Sequence, residues 1–181
     1  MLLGNQVRLR AIEREDLPKF VQWLNDPEVL QGLMINVPMS LAQEQGWFDN
    51  LRTQPVEEHP LGIEIKTSEG WSLIGNISLH ALSWKERQAE VGIFIGDKRY
   101  WSQGYGRQAM VLMLRHAFNH LGLNRVYLRV YETNPRAVHS YEKAGFVLEG
   151  RMRQAHFQEG KFVDVLLMSV LSSEWQDDAT V

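Results

Sequence analysis

Apolar and polar residues alternate through Val7-Arg8-Leu9-Arg10-Ala11, the two-residue period of a strand with one buried face. The period then lengthens. Leu17, Phe20, Val21 and Leu24 fall at i, i+3, i+4 and i+7, a single apolar helix stripe that Asp26-Pro27 ends. A second helix is predicted from Ser40, which stands at capping-box spacing from Gln43, with Trp47, Phe48 and Leu51 as its buried face. Between the two, Val29 to Met39 mixes apolar residues with Gly32 and Pro38 and reads as a packed loop.

Alternation returns at Leu61, Ile63 and Ile65, turns at Ser68-Glu69-Gly70 and runs back from Trp71 to Leu79, which predicts a hairpin. A third strand covers Ala89 to Ile95, with Val91, Ile93 and Ile95 on one face and Glu90, Gly92 and Phe94 on the other. After Gly104-Tyr105-Gly106 comes the most helical segment, Arg107 to Leu121, whose apolar stripe is Met110, Leu114, Ala117, Phe118 and Leu121. A strand over Val126 to Tyr131 leads to a helix that Asn134 can cap, Pro135 can start and Gly145 ends. Phe146 onward reads as strand, folding back at Gln158-Glu159-Gly160 and returning through Phe162 to Val170. The order is mixed α/β (α+β), with one domain over 1–175 and a loose tail over 176–181.

Composition narrows the function. The 181 residues suit one domain with a single core. The 22 acids against 19 Lys and Arg, a net charge of −3, argue against a nucleic-acid partner. Cysteine is absent, which removes disulfides, thiolate metal sites and a cysteine nucleophile. No apolar run approaches the ~20 residues of a membrane span and no basic, apolar leader opens the chain, so a cytoplasmic protein without a membrane partner is expected.

The sharpest chemical signal is a strand ending near Ile95, a glycine turn Gln103-Gly104-Tyr105-Gly106-Arg107 and a long helix. Such a turn offers unpaired N–H groups and the positive end of a helix dipole to a phosphate. Taken alone, it reads more readily as a tight turn without ligand. Further on stands Asn134-Pro135-Arg136-Ala137-Val138-His139-Ser140-Tyr141-Glu142-Lys143-Ala144-Gly145-Phe146, a capped helix carrying a tyrosine and closed by glycine.

The two segments, in this order, resemble the GCN5-related N-acetyltransferase (GNAT) superfamily, and the resemblance runs along nearly the whole chain. Gly150-Arg151-Met152-Arg153 followed by Glu159-Gly160-Lys161-Phe162-Val163-Asp164 is similar to the branch holding ribosomal-protein N-terminal acetyltransferases and spermidine acetyltransferases. The resemblance implies a mixed, mostly antiparallel sheet, splayed at a cofactor cleft and flanked by helices. It implies acetyl-CoA as cosubstrate and no metal. The backbone at Gln103, Gly104, Tyr105, Gly106 and Arg107 would cradle the pyrophosphate, and Ile93, Phe94 and Ile95 would pair with the pantetheine arm as an added strand. Asn134 would touch the cofactor near its pantetheine end, or serve only as a helix cap, or do both. The family's phosphate loop usually begins with Arg or Gln three residues before the first glycine. Here that position is Trp101, which leaves main-chain donors.

By the same resemblance Tyr141 protonates the leaving thiolate, a role that competes with plain packing of a half-buried tyrosine. Glu90 is the candidate base for the acceptor amine, acting through water, weighed equally against an exposed surface carboxylate. His80 is the fallback. With no cysteine, direct attack of the amine on the bound thioester is preferred to an acyl-enzyme. His116 and His120 stand at i, i+4 without the glutamate of the zinc-protease motif and read as surface histidines. The six tryptophans are scattered and read as packing.

Charge is unevenly spread. Asp97 to Arg153 holds ten Lys and Arg against four acids, which suits an anionic cofactor. Asn25 to Pro60 holds six acids (Asp26, Glu28, Glu44, Asp49, Glu57, Glu58) against one arginine, and this either steers a cationic acceptor or faces solvent. The expected function is N-acetylation of a primary amine, polyamine-like in the leading reading. A protein N-terminus or an amino sugar is the alternative acceptor, and a coenzyme A-binding sensor without turnover the alternative class. The resemblance also admits a homodimer, which the residues themselves do not require.

Overall fold

A computed structural model of the chain describes residues 1–33, 37–178 and 180–181. Eight strands form one sheet: β1 (Leu2–Leu3), β2 (Val7–Ala11), β3 (Leu61–Thr67), β4 (Gly70–Ser83), β5 (Gln88–Ile95), β6 (Arg125–Tyr131), β7 (Val147–Gln158) and β8 (Lys161–Leu171). Their spatial order is β1-β2-β3-β4-β5-β6-β8-β7. The pairings are antiparallel except between β5 and β6, which run parallel because a helix must carry the chain from the end of one back to the start of the other.

That crossover helix, α4 (Tyr105–Asn119), has eight residues sealed from water, among them Met110, Leu114, Ala117 and Phe118 of the predicted stripe. It lies with α5 (Pro135–Lys143) on one sheet face, against Ile63, Ile77, Val91, Val126, Leu128 and Met168. The opposite face receives α1 (Leu17–Trp23), α2 (Pro27–Leu30) and α3 (Leu41–Asn50), where Leu17, Phe20, Trp23 and Leu24 close over Leu73 and Phe94. These helices cover the β2–β5 half of the sheet, so the two faces of β5 belong to different cores. Ile93 and Ile95 face α4, while Phe94 meets Phe20 and Trp23 edge-on.

Three expectations change. The segment read as a loop from Val29 begins inside α2, where Asp26 caps a single helical turn by accepting the Glu28 N–H; Met34, Ile35 and Asn36 of that loop lie outside the described residues. The predicted face of α3 is half right. Leu51, just past its end, is buried, Trp47 and Phe48 are partly covered, and the residue buried within the helix is Glu44. The tail is not loose. Arg115 holds Asp177, Arg107 holds Asp178, the Asn5 amide donates to the Thr180 carbonyl and Val181 is buried in the α4 core. Partners so distant in sequence leave no local pattern from which to read this docking.

Candidate active site

The site begins with a sheet that comes apart. Gln88, Ala89 and Glu90 pair with Arg125, Val126 and Tyr127, and there the parallel ladder stops, although β5 continues to Ile95 and β6 to Tyr131. From Val91 to Ile95 the β5 edge toward β6 has no strand beside it among the described residues, while its other edge stays paired to β4 from Leu79 back to Gly75. Backbone N–H and C=O groups left open in this way will accept an extended chain as an extra strand. Ile93, Phe94 and Ile95, all partly exposed, lie along this opening.

Past Ile95 the chain turns into α4 through two left-handed residues, Ser102 (φ 59°) and Gly104 (φ 86°). Gly104 is the N-cap, its carbonyl accepting the Gln108 N–H at 3.0 Å. A side chain there would meet nothing within 4 Å, so glycine answers to backbone conformation and leaves open space in front of the helix N-terminus. Gly106 faces Ile95, whose side chain would be 3.7 Å from a Cβ at that position, which fixes the turn against the end of the open edge. The Gln103 amide donates to the Arg99 carbonyl, and Tyr105 meets Tyr100 edge-on. Arg107 has only its backbone free at the turn. Its guanidinium is turned away to the Lys143 carbonyl and Asp178. The open edge and the vacant turn fit the pantetheine and pyrophosphate of coenzyme A.

Trp101 departs from the expected side chain for a structural reason. Its indole N–H donates to the Ile95 carbonyl at 2.7 Å, closing the end of the open edge, and the Arg136 guanidinium stacks on its ring at 3.9 Å.

The other lip of the opening is β6 running into α5. Asn134 caps α5, its side-chain oxygen accepting the Ala137 N–H at 3.1 Å, while its amide nitrogen points beside Gly32. Tyr141 packs against the α4 core and Phe146, and burial pushes its phenol up to about 12. The hydroxyl is therefore protonated across the physiological range and available as a donor.

Glu90 sits at the last position of β5 that is paired to β6. Both carboxylate oxygens accept from Arg129, at 2.8 and 3.2 Å. Two of its roughly four lone-pair sites remain for water or an ammonium. His80 is opposite Glu90 across β4 and β5, with its Nε2 3.0 Å from the Ser78 hydroxyl and its ring laid over Gly92. Glu90 and His80 thus share one sheet face. Sequence reading missed Arg129, which only the strand register places beside Glu90. It also missed Tyr131, buried with its hydroxyl unpartnered among the described residues and stacked on His156 at 4.1 Å.

Of the acidic stretch, Asp26 and Glu28 are bound to Lys98, Asp49 to Arg14, and Glu58 accepts the Leu82 N–H. Glu44 is buried, and desolvation raises its carboxyl above the ordinary range. His116 and His120 face each other with ring centroids 5.6 Å apart, and burial lowers the first. No group of three or more metal-ligating side chains occurs among the described residues, and no described helix is long and apolar enough to cross a membrane.

The geometry agrees with the comparisons to known proteins. Residues 6–147 match the family model described as acetyltransferase (GNAT) domain. The chain is 31% identical over 173 residues to a spermidine N(1)-acetyltransferase of Vibrio cholerae, covering 96% of this chain and 97% of that one. Its Escherichia coli counterpart is 25% identical, with 95% and 89% covered. The crystal structure of the Vibrio cholerae spermidine N-acetyltransferase in complex with CoA and spermine superposes with a TM-score of 0.84 at 29% identity, over 93% of this chain and 97% of that one. The parted strands and the glycine-opened helix thus lie in a match that spans most of the sequence, and the chain belongs to the GNAT acetyltransferase family.

Proposed function

We propose that this protein transfers the acetyl group of acetyl-CoA to a primary amine of a polyamine, by direct attack within a ternary complex. The observation that carries the reading is the free β5 edge from Val91 to Ile95 ending at the vacant Gly104 turn. Ile93 to Ile95 bind the pantetheine arm by main-chain pairing, the amides of Gln103 to Arg107 receive the pyrophosphate, and the free Asn134 amide donates near the pantetheine end.

The amine must arrive neutral. Its nitrogen forms a bond to the acetyl carbon as the carbon–sulfur bond breaks, one amine proton leaves and the sulfur becomes a thiolate. Glu90 takes the amine proton through a water on its unused lone pairs. Tyr141 serves the sulfur. A phenol at about 12 stands well above a thiol at ~8.5, so complete transfer is uphill. Tyr141 accordingly stabilises the developing thiolate chiefly by donating a hydrogen bond, and releases its proton late.

Two similar proteins are named for spermidine acetylation, and the Vibrio cholerae structure holds CoA and spermine, which favours a polyamine over a protein N-terminus or an amino sugar. The net acidity of Asn25 to Pro60 supports a cationic acceptor, though fewer of its carboxylates are unengaged than the count suggests. We place the reaction in the cytoplasm, without nucleic-acid or membrane partners, and in a homodimer built on β7. That strand is at the sheet edge and exposes Val147, Leu148, Met152 and Phe157.

Thiol release from acetyl-CoA, measured across polyamines, amino sugars and N-terminal peptides, tests the reading. Turnover with spermidine or spermine well above the other acceptors is expected. Tight coenzyme A binding without turnover on any amine would leave the sensor.

A further inference from the structure

Ten basic residues lie between Asp97 and Arg153, enough to suit an anionic cofactor on charge alone. The structure removes most of them. Lys98, Arg99, Arg107, Arg115, Arg125, Arg129 and Arg151 each close on a carboxylate. Arg136, Lys143 and Arg153 have no such partner among the described residues. Lys143 is the last residue of α5 and Arg153 lies on the far edge strand β7. Of the three, Arg136 is the one whose side chain contacts the β5 side of the opening, at Trp101.

Its position is fixed by two constraints. It follows Pro135 in the first turn of α5, on the lip formed by β6, and its guanidinium stacks at 3.9 Å on Trp101, on the lip formed by β5. Trp101 is in turn held by its hydrogen bond to the Ile95 carbonyl. The contact joins the two lips at the end of the open edge, three residues before Gly104. Glu28 is the acid whose charge reaches Arg136, and that carboxylate is already bound to Lys98. A guanidinium stacked on an indole keeps its in-plane N–H donors free, in the fork that suits phosphate oxygens.

We infer that Arg136, carried on Trp101 as a platform, is the side-chain ligand of the coenzyme A pyrophosphate. The charge that the loop itself does not supply at position 101 comes from α5 across the cleft. The inference rests on the acetyl-CoA reading and adds a named residue and a named phosphate to it. Trp101 is then a positioning residue, acting through Arg136.

Calorimetric titration tests this without turnover, using coenzyme A and dephospho-coenzyme A on the full chain. Arg136→Gln should weaken coenzyme A about 10- to 100-fold, the worth of a hydrogen bond to a charged group. Its thermal unfolding should match the wild type, since the side chain is exposed. The fold-loss should be the same for dephospho-coenzyme A, which keeps the pyrophosphate. Trp101→Leu should weaken binding in the same direction, and the two losses should be less than additive in the double variant, because the platform carries Arg136. Arg136→Lys should fall between, retaining charge without the planar fork.

Unchanged affinity in Arg136→Gln would overturn the assignment, as would additive losses in the double variant. A loss confined to coenzyme A would move the contact to the 3′-phosphate and defeat the pyrophosphate assignment. Failure of the wild type to bind coenzyme A at all would instead strike the acetyl-CoA reading, so the two failures are distinguishable.

Discussion

Arg129 grips both oxygens of Glu90 at the point where β5 and β6 part, Nε on one at 2.8 Å and Nη2 on the other at 3.2 Å. Glu90 stands on the last rung of the parallel ladder, opposite Tyr127, and Arg129 lies two residues further along β6, so the bidentate contact orients the carboxylate where the strands part. Glu90→Gln should lower kcat by about 10²-fold, the low end for a proton-transfer group acting through water. The dissociation constant for coenzyme A should be unchanged. Stopped-flow or steady-state rates with a polyamine acceptor, paired with calorimetry, measure both, and a full rate would remove Glu90 from the chemistry.

Tyr141→Phe should lower kcat about 10²-fold or more while leaving coenzyme A affinity nearly intact. The pH profile carries the sharper test. With the phenol at about 12, its ionisation produces no falling limb up to about pH 11. A limb near pH 10 in the wild type that vanishes in Tyr141→Phe would contradict the desolvated hydroxyl.

Gly104 separates backbone strain from ligand chemistry. A non-glycine residue at φ 86° costs about 1 kcal/mol of stability, and Gly104→Ala should show this in thermal unfolding. Gly104→Asp should carry a similar cost and also abolish coenzyme A binding, since it brings negative charge to the pyrophosphate position. Normal binding by the aspartate variant would refute the loop's role.

Glu44 is buried on α3, and desolvation raises its carboxyl. A raised carboxyl means the folded state holds its proton more tightly than the unfolded chain does. The wild type therefore loses stability as pH climbs through the window from the ordinary carboxylate value of 4.5 upward. Glu44→Gln escapes that loss. It should raise Tm at pH 7.5 and leave it nearly unchanged at pH 4. Melting curves at the two pH values decide it.

Removing residues 176–181 should cost about 2 kcal/mol, because Val181 leaves the α4 core and two arginines lose their aspartates. Unchanged melting would mean the docked tail contributes nothing. Arg107, freed from Asp178, should leave coenzyme A affinity unaltered, since its side chain faces away from the turn.

Much of this molecule follows from local pattern. The period-2 runs at 7–11, 61–65 and 89–95 set the strands, the stripe from Met110 to Phe118 sets α4, and Asn134-Pro135 sets the start of α5, because side-chain direction and capping are decided within a few residues. The glycine turn was legible for the same reason, as a left-handed position before a helix favours glycine. What the sequence could not fix was partnership. Whether Glu90 is solvated or held by Arg129, which three of ten cations lack a carboxylate partner among the described residues, and whether the last six residues hang free all depend on groups distant along the chain. The opening itself belongs to this second class. Nothing between Gln88 and Ile95 says that the ladder stops at Glu90; beyond it β6 stays paired to β8 through Tyr131 and parts from β5, leaving an edge that the cosubstrate can complete.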